Sequence, residues 1–265
     1  MAQAAPLSPM SGRADGSSLS SPSVATPVVF VIDDDLSVRQ SLESLIDAAG
    51  WRPETFASAM EFLARPRPLS PSCLVLDLLL PDLNGLELQE RIADRAEMPI
   101  IFITGHGDVA MTVRAMKAGA IEFLTKPFRG DVLLAAIRDG LERSRIVLGD
   151  QAELRLLHER QAMLTRRECE VMALVVAGRL NKQVAIELGI SEATVKAHRG
   201  KVMQKMRAHS LPDLVNMATS LGLESPLKHP RDALTRADYA TRVYRAILPF
   251  SPDRQANRLS FSALR

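Results

Sequence analysis

The stretch that most constrains this chain is residues 72–85, Ser-Cys-Leu-Val-Leu-Asp-Leu-Leu-Leu-Pro-Asp-Leu-Asn-Gly. It begins as an apolar run of the length of one fully buried strand. The run stops on Asp77, and a carboxylate at the end of a buried strand is costly unless charge or hydrogen bonds meet it. Pro81 and the Asn84-Gly85 pair then turn the chain. Asp77 is therefore expected at the carboxyl edge of a sheet, facing a crevice. A lone Asp in such a place is more often the cap of the next helix, so the reading depends on what the rest of the chain brings to the same edge.

Val28 to Ile32 is a short apolar run ending in Asp33-Asp34-Asp35. Val38, Leu42, Leu45, Ile46 and Ala49 then recur at helical spacing, and Gly50 ends that helix. Residues 53–56 form a weak second strand, 73–76 a third, and 86–93 a helix. Residues 99–103 read as a strand ending in Thr104-Gly105, and Val109, Val113 and Met116 mark a helix closed by Gly119. Residues 121–124 read as a strand ending in Thr125-Lys126-Pro127, and Val132, Leu133, Ala136, Ile137 and Leu141 mark the next helix. This alternation of strand and helix implies a parallel sheet covered on both faces. The strand ends of such a sheet converge on one crevice, which gathers Asp33, Asp34, Asp77, Thr104 and Lys126. Three crowded carboxylates do not all ionise without a cation, and their oxygens suit a hard ion such as Mg²⁺. A carboxylate nucleophile, a metal, a lysine and a hydroxyl make a reasonable acceptor for a phosphoryl group. There is no G-x-x-x-x-G-K-[ST] loop, which argues against ATP as the direct donor. His106 lacks a partner at metal-ligand spacing and reads as a surface loop residue.

At 265 residues two domains are expected. No apolar stretch reaches the ~18 residues of a membrane helix, and residues 1–27 read as a disordered leader without a signal pattern. Cys73 and Cys169 read as reduced core residues of a cytoplasmic protein. The net charge of +2 hides a division. Residues 28–145 carry 13 Lys and Arg against 18 Asp and Glu, 151–223 carry 11 against 7, and 224–265 carry 8 against 4. An acidic module followed by basic ones points to a polyanion met by the second half only.

In that half, residues 146–163 are expected as a linker, interrupted at Gly149-Asp150 and helical after it. Thr165-Arg166-Arg167-Glu168 is a capping-box pattern, followed by an apolar helical face of Cys169, Met172, Ala173, Val176 and Ala177. A short helix over 182–188, the turn Gly189-Ile190-Ser191 and a longer helix over 192–206 describe a helix-turn-helix. Val195, Val202 and Met206 face inward. From 196 to 207 the chain carries Lys196, Arg199, Lys201, Lys205 and Arg207 with no acid. Such a run needs a counter-anion, and DNA phosphate supplies one. Ser210-Leu211-Pro212-Asp213 starts a fourth helix, and 224–265 is a basic tail, disordered or forming one helix before Pro249.

These residues carry a resemblance. Asp33-Asp34, Asp77 with Pro81 and Asn84-Gly85, Thr104 and Lys126-Pro127 resemble the receiver domain of two-component response regulators over residues 28–145. Ile101-Phe102-Ile103-Thr104-Gly105-His106-Gly107-Asp108-Val109 and Met116-Lys117-Ala118-Gly119-Ala120 are similar to the FixJ-like branch. Residues 164–223 resemble the LuxR-type DNA-binding domain of the FixJ/NarL family. The stretches that carry this are Leu164-Thr165-Arg166-Arg167-Glu168, Asn181-Lys182-Gln183-Val184-Ala185 and Ser191-Glu192-Ala193-Thr194-Val195-Lys196-Ala197-His198-Arg199. The resemblance implies an α/β flavodoxin-like receiver with a five-stranded parallel sheet, followed by an all-α helix-turn-helix domain.

It further implies phosphorylation of Asp77 by a sensor histidine kinase, supported by Thr104 and Lys126. Mg²⁺ would be held by Asp34, Asp77 and the main-chain carbonyl of Leu79, with Asp33 reaching it through water. The Lys126–Pro127 peptide would be cis, and Phe123 would be the aromatic that swings inward with the switch. On DNA, Lys196, Ala197 and Arg199 would lie nearest the bases, with His198 approaching, and Thr194, Lys201 and Lys205 nearer the phosphates. Gly200 departs from the family, where a larger residue is common. The implied protein is a cytoplasmic transcriptional activator rather than an enzyme, dimeric when phosphorylated, with DNA, the kinase and RNA polymerase as partners. Two rivals stay open: a DNA-binding regulator that ignores phosphorylation, and an aspartyl-phosphate hydrolase. The hydrolase is weakened by Leu79, which stands where a second carboxylate would be.

Overall fold

Five short strands form one parallel sheet in the order β2-β1-β3-β4-β5. They are β1 (Val28–Ile32), β2 (Arg52–Phe56), β3 (Ser72–Asp77), β4 (Ile100–Thr104) and β5 (Glu122–Thr125). The computed structural model describes residues 26–105 and 109–223. His106, the 224–265 tail and nearly all of the leader lie outside the described residues. The strand order is the flavodoxin-like one, which reverses direction between β1 and β3. Their register pairs Ile32 with Leu76. Asp33 and Asp77, each one residue further on, therefore stand at the same level on neighbouring strands.

Side chains alternate across each strand, and both faces are apolar. Phe30, Ile32, Leu74, Leu76 and Phe102 point to one face, covered by α2 (Ala59–Leu63), α3 (Gly85–Arg91) and α4 (Val109–Lys117) through Phe62, Leu88 and Ala115. Val29, Val31, Val75, Ile101 and Ile103 point to the other. Leu42 and Ile46 of α1 (Leu36–Ala48) cover it with Leu133, Ile137 and Leu141 of α5 (Gly130–Ala162). Each large side chain so buried contributes ~1.5–3 kcal/mol.

Three local details add to or correct the sequence reading. Val109, Val113 and Met116 do mark a helix, α4, but all three are exposed, and Ala115 with Met111 packs on the sheet. The short helix α2 was not anticipated, although Ser58 caps it by accepting from Glu61 N, a Ser-x-x-Glu pattern legible in sequence. Finally, α5 runs unbroken for 33 residues through Gly149. One glycine costs an exposed helix only ~1 kcal/mol, which its neighbours outweigh.

The chain divides into two compact units after Arg145. The second holds α6 (Arg166–Val176), α7 (Asn181–Leu188), α8 (Glu192–Met206) and α9 (Leu211–Ser220). The capping box of Thr165 and Glu168 starts α6. Gly189, at φ +65°, ends α7 in the left-handed region that suits glycine, and Ser191 caps α8 through Thr194 N. Cys169, Met172, Val202, Met206 and Leu214 form one core cluster, and Val171, Val184 and Val195 a second.

Candidate functional site

The carboxyl ends of β1, β3 and β5 meet in an acidic crevice. Asp33 is fully buried and Asp77 is 7% exposed. Lys126, just past β5, donates from Nζ to Asp33 Oδ2 at 2.6 Å and to Asp77 Oδ2 at 2.7 Å. The remaining oxygens accept main-chain amides: Asp33 Oδ1 from Asp35 N at 2.9 Å, Asp77 Oδ1 from Leu79 N at 3.0 Å. Asp34 is exposed, yet carboxylate oxygens of Asp33, Asp34 and Asp77 all lie within 4.8 Å of one another.

Three carboxylates against one ammonium leave this pocket negative. Burial pushes the Asp33 carboxyl above its ordinary value, and the Lys126 hydrogen bond only partly offsets this. Burial would lower the Lys126 ammonium, but its bonds to Asp33 and Asp77 outweigh that and hold it above its ordinary value. An all-oxygen set with excess negative charge fits a hard divalent cation and no soft one.

Thr104 ends β4 and is buried. Its carbonyl accepts from Lys126 N at 2.7 Å, and the Lys126–Pro127 peptide is cis. Leu79 is half-exposed beside Asp77. Phe123 is half-buried on β5, tilted against Phe102 with ring centroids 6.1 Å apart.

Three further residues shape the pocket and were not singled out for these contacts. Gly85 N donates to Leu78 O at 2.9 Å, and a Cβ at Gly85 would fall 2.7 Å from the Asp77 carbonyl oxygen. Only glycine permits the loop after Asp77 to fold back this closely. The Asp82 carboxylate accepts from Ala59 N and Met60 N, tying that loop to the start of α2. Arg39 Nη1 donates to the Asp33 carbonyl at 2.6 Å. Asn84-Gly85 is a visible turn signal, but the partners of Asp82 and Arg39 come from the tertiary fold.

In the second unit, Thr194, Lys196, Ala197 and Lys201 are exposed on α8. Lys196 Nζ lies 3.2 Å from Glu192 one turn earlier. Arg199 is half-buried, and its Nη1 donates to Asn181 Oδ1 on α7 at 3.3 Å. His198 is also half-buried, with Nδ1 buried and lacking a hydrogen-bond partner among the described residues. Lys205 is also bonded within its own unit. Its Nζ donates to Glu168 Oε2 at 2.6 Å and to the Met163 carbonyl at 3.1 Å. The physical reason is the buried Glu168 carboxylate, which needs a cation as well as its Thr165 amide. Burial opposes ionisation of Glu168, but the Lys205 and Thr165 bonds outweigh it and hold its pKa below the ordinary value.

Residues 29–138 match the response regulator receiver domain, and 162–218 match the luxR family of bacterial regulatory proteins. The chain is 49% identical to Nodulation protein W of Bradyrhizobium diazoefficiens over 199 residues, covering 75% of this chain and 88% of the relative. It is 41% identical to the transcriptional regulatory protein FixJ of the same organism over 196 residues, covering 74% and 96%. The low-resolution structure of the response regulator StyR superposes with a TM-score of 0.67 at 48% identity, covering 74% of this chain and 99% of that one. With an acidic receiver crevice on one unit and a helix-turn-helix on the other, the chain belongs to the FixJ/NarL family of two-component response regulators, DNA-binding regulators of transcription.

Proposed function

We propose that Asp77 accepts a phosphoryl group from the imidazole of a sensor histidine kinase, and that this charge change governs DNA binding. The observation that carries the reading is the convergence of Asp33, Asp34 and Asp77, with Lys126 bridging Asp33 and Asp77. An Asp77 carboxylate oxygen attacks phosphorus as the bond from phosphorus to the kinase imidazole nitrogen breaks, and the imidazole takes up a proton. Asp34, Asp77 and the Leu79 carbonyl would hold magnesium, with Asp33 beside them. Bound there, the ion would offset charge on the phosphoryl oxygens. Lys126 supplies a second positive charge to those oxygens and Thr104 a hydroxyl at the end of the neighbouring strand.

The added charge draws Thr104 and Lys126 toward the acyl phosphate, and Phe123 follows into the space this opens. The surface remodelled is that of α4 and β5, where Val109, Val113 and Met116 already lie exposed. Two phosphorylated chains pair through it, so the second half-site is bound from a tethered state. Lys196, Ala197 and Arg199 approach the bases, Thr194 and Lys201 the phosphates, and His198 supports them from the flank. DNA and a cognate kinase place the chain in the cytoplasm, where contact with RNA polymerase would make it an activator.

The test is incubation with acetyl phosphate and magnesium, followed by peptide mass spectrometry and footprinting. A stoichiometric mass gain on the Asp77 peptide is expected, absent in Asp77→Asn, with at least tenfold stronger operator protection for the labelled wild type. Equal protection in every lane would support a regulator that ignores phosphorylation.

A further inference from the structure

Gly200 is exposed in the interior of α8. A Cβ built there meets nothing within 4 Å, and the φ of Gly200 lies outside the left-handed region. Neither packing nor backbone geometry asks for glycine. Glycine is also a poor residue for a helix interior, losing more backbone freedom than any other on folding. The free domain would be more stable with alanine at this position.

The place of Gly200 on the helix supplies a reason for it. Val195, Val202 and Met206 are buried and mark the inner face of α8. At 3.6 residues per turn, Ala193, Ala197, Gly200 and Gln204 lie opposite them, with Lys196 on one flank and Lys201 on the other. The outward crest thus carries short side chains at its centre and long cations at its sides. An α-helix with its side chains is about 10–12 Å across, and the major groove of B-DNA is about 12 Å wide. The fit is tight enough that one side chain at the crest decides how deep the helix sits. Without one, the main chain of α8 can move toward the base edges, with Lys196 reaching the bases from one flank and Lys201 the phosphates from the other.

We infer that Gly200 is the point of closest approach between the α8 main chain and the operator, and that the missing side chain there is a determinant of operator specificity. This rests on α8 being the helix that reads DNA. The operator is defined by experiment: the full-length wild-type protein, treated with acetyl phosphate, enriches binding duplexes from a random-sequence library. Wild type and Gly200→Ala are then titrated against the enriched duplex and a scrambled duplex of equal composition, over a range of salt. Gly200→Ala is expected to melt about 4 °C higher, because the helix gains propensity. It is expected to bind the enriched duplex about tenfold more weakly and the scrambled one unchanged. The salt slope stays the same, since no phosphate contact is removed.

Undiminished binding of the enriched duplex by Gly200→Ala overturns the inference, and so does an equal loss on both duplexes. A lower melting temperature also overturns it, because the glycine would then serve the fold. Failure of the wild type to enrich any duplex is a different result and overturns the proposed function, sequence-specific DNA binding by the phosphorylated chain, on which the inference rests.

Discussion

One ammonium stands against three carboxylates at the ends of β1 and β3, and Asp33 bears most of the imbalance because it is fully buried. Burial lifts its carboxyl above the ordinary 3.8, so ionised Asp33 opposes folding. That cost is absent below pH 3.8, grows as the pH rises through the lifted value, and is constant above it. Asp33→Asn keeps an acceptor for the Asp35 amide and removes the charge. In the absence of divalent cations at neutral pH it is expected to be more stable than wild type, by on the order of 1 kcal/mol. The difference should vanish on acidification, and the rise in melting temperature that magnesium gives the wild type should shrink. Thermal melts with EDTA or magnesium across pH check all three. A wild type that melts higher than Asp33→Asn in EDTA would show that Lys126 already compensates the pocket.

Within α5, two glycines are expected to respond with opposite sign. Gly140 is buried against β3, where a Cβ would fall 2.8 Å from Cys73 Sγ and 3.0 Å from Ile121 Cδ1. Gly149 is exposed, and a Cβ there would meet nothing within 4 Å. Gly140→Ala should cost ~1–3 kcal/mol by overpacking, whereas Gly149→Ala should gain up to ~1 kcal/mol by propensity. Denaturant unfolding measures both. On α8 the contrast is between two lysines. Lys205→Met strands the buried Glu168 carboxylate and should cost about 2 kcal/mol. The contribution of that pair is present above the ordinary Glu168 value of 4.5 and is lost as the pH falls through the lowered one. The penalty of Lys205→Met should therefore fade in acid. Exposed Lys201→Ala should leave stability alone and reduce the salt slope of DNA binding by ~1. A salt slope that drops equally for both lysines would return Lys205 to the DNA contacts.

For the molecule as a whole, the two units carry opposite charge, which leaves DNA contact to the C-terminal half. In the proposed switch, assembly is assigned to α4, where Val109, Val113 and Met116 are exposed. Acetyl phosphate with magnesium is expected to shift the wild type from monomer to dimer in light scattering. Asp77→Asn should stay monomeric, as should the phosphorylated chain with Val113 and Met116 changed to Ser. Dimerisation of that double variant would move the interface elsewhere.

Much of this was legible along the chain because the signals are local. An apolar run of strand length, a Ser or Thr cap three residues before its partner and a glycine at a helix end concern near neighbours. They suffice for the five strands, the start of α6 and α8, and the turn between α7 and α8. The identity of the acids at the strand ends was equally plain. Only the folded molecule decided which partner each group found. The Lys126 bonds to Asp33 and Asp77, the Lys205 bond to Glu168, the Arg199 bond to Asn181 and the grip of Asp82 on α2 join residues 18 to 93 positions apart. The outward turn of Val113 and the unbroken passage of α5 through Gly149 belong to the same class. Periodicity states that a helix has an apolar stripe, but burial depends on what the rest of the chain places against it.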